Sequence, residues 1–147
     1  MRCRITLTVT LLLASALPGL AAKETSLQEL EARAEAARLE DRPRLYLEIA
    51  QRQLSSADES YKAGRNEEAR AAVDDVARYA GKARDAAIQS GKRLKETEII
   101  VRKMAEKLRD IKRTLNFDDQ PSVQNAADQL ETMRTDLLSH MFEKGKR

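Results

Sequence analysis

An all-α fold is what this 147-residue sequence predicts, and three of its features carry the prediction. Aromatic residues make up 3% of the chain and tryptophan is absent, whereas packed sheets draw heavily on aromatic and β-branched side chains. Charged residues reach 35%, and the hydrophobic 41% is swollen by alanine, the strongest helix former. Apolar residues also recur at alternating spacings of three and four over most of the chain, the period of a buried helix stripe.

The N-terminus carries a different pattern. Arg2 and Arg4 precede an apolar run from Ile5 to Leu17. Pro18-Gly19 closes that run, and Leu20-Ala21-Ala22 offers small residues for cleavage, the layout of a secretory signal peptide. Thirteen residues fall short of the about 20 that a bilayer span needs. Residues 1–22 are therefore expected to be removed on export. Residues 23–147 would remain as a single all-helical domain, soluble in the periplasm or outside the cell. Cys3 precedes the apolar run, where a lipid-anchoring cysteine would follow it, and the mature chain has no thiol. It keeps 25 basic and 24 acidic residues, so its total charge implies no polyanion partner.

Thr25 with Gln28, and Ser26 with Glu29, form overlapping capping boxes that predict a helix to about Glu40, with Leu27, Leu30, Ala34 and Ala37 on one face. Pro43 opens a second helix, Leu47, Ala50, Leu54, Ala57 and Tyr61 mark its stripe, and Gly64 ends it as a left-handed cap. Asn66 is the expected N-cap of the third helix. From Ala69 through Val73, Val76, Ala80, Ala83, Ala87, Ser90, Leu94, Thr97, Val101, Met104, Leu108 and Ile111 to Leu115 the spacing runs 4, 3, 4, 3 without a slip. Gly81 and Gly91 lie off this seam. The pattern predicts one continuous helix from about residue 66 to 115, about 75 Å long, with antiparallel helical hairpins or a coiled coil built around it. The alternative is a compact four- or five-helix bundle broken near Gly91. Residues 116–121 form a corner at which Phe117 is expected to pack and Asp119 or Ser122 to cap. Val123, Ala126, Leu130, Met133 and Leu137 mark the last helix, its face widened by Leu138, Met141 and Phe142. The small residues Ala80, Ala83, Ala87 and Ser90 leave the middle of such a rod thin, which predicts self-association or a helical partner.

Ala57, Tyr61, Gly64, Ala69, Val73 and Val76, within residues 50–76, resemble one tetratricopeptide-type helical hairpin. Ser56 and Ser60 stand where that family usually has larger residues, Gly81 replaces its terminating proline, and no second copy is present. The resemblance implies a helical hairpin and a protein-binding role, but not a peptide groove. The whole mature chain is also similar to small secreted all-helical proteins of unknown function.

Residues that carry chemistry are sparse. His140 is the only histidine, with Asp136 four residues before it and Glu143 three after, too few ligands for a metal site. Asp118-Asp119 lacks the alternating oxygens of a calcium loop. Ser90-Gly91-Lys92 lacks the upstream glycine and strand of a phosphate loop. No catalytic residue, cofactor, metal or small-molecule substrate is expected. The strongest functional feature is charge: residues 79–113 hold 11 bases against 5 acids. Lys95, Arg102 and Arg109 recur every seven residues opposite the seam, with Lys92, Lys103 and Arg113 close by, and Ile99-Ile100 lie beside them off the seam. Without interleaved aromatics this face does not suit nucleic acid. The expected function is that of an exported, non-enzymatic helical protein in protein–protein interaction or structure. The alternative is an amphipathic binder of an anionic membrane surface or polyanion through the basic face.

Overall fold

The computed structural model describes residues 18–145, with side chains from Leu27 to Glu143. The basic and apolar parts of the signal-type segment, residues 1–17, lie outside the described residues. The fold is all-α, with helices α1 (Pro18–Ala36), α2 (Arg42–Lys62), α3 (Asn66–Ser90), α4 (Leu94–Thr114) and α5 (Gln120–Lys144), and a 3-10 turn at Phe117–Asp119. Among the described residues no helix is long and apolar enough to cross a membrane. Helix α1 runs through Thr25 and Ser26 and ends at Ala36. The capping boxes are thus not a helix start, because upstream residues continue the hydrogen-bonded backbone past them.

Helices α2 and α3 form one antiparallel hairpin and α4 and α5 another. The first is closed at Gly64, whose φ of 73° is left-handed. The N–H groups of Gly64 and Arg65 donate back to the carbonyls of Tyr61 (3.0 Å) and Ser60 (2.9 Å), so the last turn of α2 is satisfied as in a Schellman cap. Asn66 does not cap α3; its amide is drawn to Asp119 instead, at 2.8 Å.

The expected continuous helix is two helices. The chain turns at residues 91–93, where Gly91 (φ 61°) ends α3 and Arg93 (φ 58°) precedes α4, both left-handed. The Ser90 hydroxyl donates to the Ala86 carbonyl (2.7 Å) and accepts the Lys92 N–H (3.2 Å), which stabilises the exit. Arg93 is strained at that φ, and its guanidinium is held by the Glu40 carbonyl (3.1 Å), Asp41 (3.7 Å) and Glu96 (2.9 Å). Glu96 is thereby committed to Arg93. The bundle broken near Gly91, not the rod, is the architecture. Gly91→Ala is expected to lower stability by about 1–2 kcal/mol, the cost of a left-handed alanine. In an unbroken helix the same change would stabilise by about 1 kcal/mol, so urea unfolding reads the turn from the sign.

The two hairpins stack with α3 on α5 and α2 on α4. Arg70 meets Asp119 and Arg84 meets Asp136, so α3 and α5 run parallel. A Cβ added at Gly81 would lie 3.6 Å from Met133 Cε, so the glycine lies at the α3–α5 packing. Helix α1 lies along α2. The small residues of α3, including Ala69, Ala77, Ala80, Ala83 and Ala87, are buried because α3 is enclosed by α2 on one side and α5 on the other. The thin middle read from the sequence is thus covered within the chain, and it no longer argues for self-association. Larger burial comes from Leu47, Ile49, Val73, Val76, Val101, Leu108, Leu130 and Leu137, each contributing about 1.5–3 kcal/mol.

At the α4–α5 corner Phe117 is 84% exposed rather than packed. Leu115 packs on the core in its place, and Gln120 Nε2 holds the corner by donating to the Leu115 carbonyl at 3.0 Å. Asp119 precedes α5 but makes no side-chain cap; its carboxylate is spent on α3. At the end of α5, Met141 packs partly on the core, Leu138 is half-buried, and Phe142 is 71% exposed, not part of the inner face.

Candidate functional site

The basic stripe divides into two kinds of residue. Arg102 is half-buried between Glu98 (3.6 Å) and Glu106 (3.4 Å) on its own helix. Arg109 reaches Glu131 on α5 at 3.1 Å, and Arg113 pairs with Asp110 at 2.9 Å. Only the Arg109 pair joins two helices; those of Arg102 and Arg113 lie along α4, and all three arginines have acidic partners. Lys92, in the α3–α4 turn, and Lys95 and Lys103, on α4, are exposed and have no acidic partner among the described residues. The free positive charge is therefore concentrated toward the Gly91 end of the bundle.

Ion pairs also join the elements elsewhere. The buried Asp119 carboxylate accepts from Arg70 (2.7 Å) and Asn66 (2.8 Å), clasping the start of α3 to the start of α5. The buried Glu98 accepts from Arg134 at 2.8 Å, and Asp58 on α2 faces Lys107 on α4 at 3.1 Å. None of these was legible as a pair, since the partners lie 36 to 53 residues apart or on different helices.

Where α1 meets the first hairpin, Tyr46 and Tyr79 stack with ring centroids 6.3 Å apart. Lys82 Nζ lies 5.2 and 5.4 Å from the two ring centres and 3.1 Å from Glu35. The Tyr46 hydroxyl donates to Glu35 at 2.7 Å. Burial, then this hydrogen bond, pushes the Tyr46 phenol up to about 12. Burial and then Glu31 push Tyr79 up to about 12 as well. The Tyr46 hydroxyl and then Lys82 hold the Glu35 carboxyl below its usual value. A phenol whose folded pKa exceeds its unfolded one binds its proton more tightly when folded, so its stabilisation is complete below pH about 10 and lost as pH rises toward about 12. Alkaline titration followed by tyrosinate absorbance and circular dichroism should show ionisation and unfolding together in that window. Ionisation of two or more of the three tyrosines near pH 10 in a still-folded chain would contradict the contact.

A groove of about 480 Å³ runs between the parallel helices α3 and α5. Ala77 and Ala126 are its buried residues, and Asp74, Ser122, Asn125 and Gln129 line it without a hydrogen-bond or ion-pair partner. Arg78, also lining it, pairs with Asp75 at 2.6 Å. Sequence reading missed this groove, because helical periodicity marks the apolar seam and not the polar edges flanking it. His140 faces the single carboxylate of Glu143 at 3.8 Å, and the described residues contain no cluster of three or more His, Cys, Asp or Glu able to hold a metal. No protein-family model, curated protein sequence or solved structure matches the chain.

Proposed function

We propose that the chain is an exported, non-enzymatic helical module that holds a protein partner in the groove between α3 and α5. The groove carries this reading. Asp119, Glu98, Asp58 and Glu35 are committed to internal ion pairs, whereas Asp74, Ser122, Asn125 and Gln129 line the groove without a hydrogen-bond or ion-pair partner. Two carboxamides, a hydroxyl and a carboxylate beside two alanines suit the alternating donors and acceptors of an extended peptide segment. The hairpin resemblance in residues 50–76 adds a protein-binding role but no peptide groove, and the signal-type N-terminus supports an encounter outside the cytoplasm.

Site-directed photo-crosslinking in growing cells tests it. A photoreactive residue in place of Asn125 or Gln129 should capture one discrete protein, which the same probe at Gln51 on α2 should not capture. Equal labelling from Gln51 would contradict the groove. The N-terminus of the accumulated chain should fall at Ala22 or Lys23; an intact Met1 would contradict export.

A further inference from the structure

We propose that the outer face of the α4–α5 hairpin, at its Gly91 end, docks on an anionic lipid surface. The inference is independent of the groove, which lies between α3 and α5. Residues Gln124, Glu131 and Arg134 mark the edge of α5 that faces α4, through Lys112 (2.6 Å), Arg109 and Glu98. Leu138 and Phe142 continue that edge at helical spacing, seven residues beyond Glu131 and four further on. On α4, Lys95, Ile99 and Lys103 succeed one another at four-residue intervals on the outward side, away from the buried Val101 and Met104. One surface therefore collects half-buried Ile99 and Leu138, a 71% exposed phenylalanine and lysines without acidic partners. Lys92 adds a charge at the turn. An open recess of about 570 Å³ between Leu94 and Ile100 leaves room for apolar insertion.

The charges select the occupant. A second copy placed here about a two-fold axis would oppose Lys95 and Lys103 to their own counterparts, a like-charge contact. A phosphate backbone would satisfy the lysines and leave Ile99, Leu138 and Phe142 in water. An anionic bilayer surface satisfies both: the lysines lie among headgroups, each strengthening binding about fivefold, and the aromatic ring sits at the acyl boundary.

Vesicle flotation of the chain, in the form in which cells accumulate it, tests the proposal. Vesicles of phosphatidylcholine with about 30% phosphatidylglycerol are compared with phosphatidylcholine alone. Binding is expected to the anionic vesicles only, and to fall at least about tenfold between about 50 and about 500 mM NaCl. The triple variant Lys92→Glu, Lys95→Glu, Lys103→Glu should lose at least about tenfold in binding, and Phe142→Ser several-fold. All four sites are exposed, and circular dichroism confirms that each variant is folded. Arg113→Glu, at the opposite end of α4, should bind as wild type. Any retained part of the apolar N-terminal run is common to all variants, so the differences read the patch. No flotation at low salt, equal binding to neutral vesicles, or an unimpaired triple variant would each overturn the proposal.

Discussion

Leu108→Ala should lower the free energy of unfolding by about 3 kcal/mol and the thermal midpoint by roughly 10 °C. Leu108 is fully buried on the seam of α4. Its neighbours in sequence show why the site cannot close over the lost volume. Lys107 is paired with Asp58 on α2 at 3.1 Å, and Arg109 with Glu131 on α5 at 3.1 Å, so the backbone is held from both sides. Alanine and leucine have similar helix propensity, so no local gain offsets the cavity. Urea unfolding measures the loss directly. Ile99→Ala, at a half-buried position off the seam, should cost less than about 1 kcal/mol by the same measurement. Equal losses at the two positions would mean that the seam is not the core.

Asp119→Ala should cost about 2 kcal/mol, because it removes a buried carboxylate and leaves both Arg70 and Asn66 without their acceptor. The Asp119 side chain is 8% exposed but that of Arg70 is 38% exposed, so water recovers part of the cost, and the value stays below that of a fully buried pair. Asp119→Asn can still accept from Asn66 and should lose about half as much. A double-mutant cycle between Arg70 and Asp119 should show the two losses to be non-additive, and additivity would show that the clasp does not form. The clasp matters because it fixes the register of α3 on α5, the pair that forms the groove.

Much of the core was legible in the sequence. The seam from Ala69 to Ile111 is buried at every position except half-buried Ser90, because the 4, 3 alternation records burial whatever the connectivity. The turn at Gly91 was hidden by that same alternation. Ser90 and Leu94 stand four apart, as they would in an unbroken helix, yet three intervening residues carry the chain through the turn. The seam therefore keeps its phase across a reversal, and a helix of seam length was inferred from a pattern that two antiparallel helices satisfy equally. The left-handed Gly91 and Arg93 decide between them, and Arg93 has no propensity for that conformation; long-range contacts to Glu40 and Asp41 hold it there.

The surface was less legible, for an electrostatic reason. Lys95, Arg102 and Arg109 share a heptad spacing, but whether a base is free depends on which acids the fold brings near it. Glu131 on α5 neutralises Arg109, and nothing in the spacing within α4 announces it. Asp119 read as a cap because it precedes a helix, and Phe117 read as packed because it is large. The fold instead buries the carboxylate against two donors and leaves the ring in water. The basic face was visible as composition; the pairs of Arg102 and Arg113 lie at helical spacing within α4, and only the pairing of Arg109 needs the fold.

The stacked hairpins, the groove and the lysine patch all depend on the turn at residues 91–93. Spin labels at residues 71 and 113, exposed positions near the start of α3 and the end of α4, measure that turn most directly in a Cys3→Ser background. Antiparallel α3 and α4 place both labels at the same end of the bundle, and a pulsed-resonance distance under about 30 Å is expected from packed helix axes and label arms. An unbroken helix would separate the same positions by about 63 Å, and a distance near that value would contradict the two-hairpin fold.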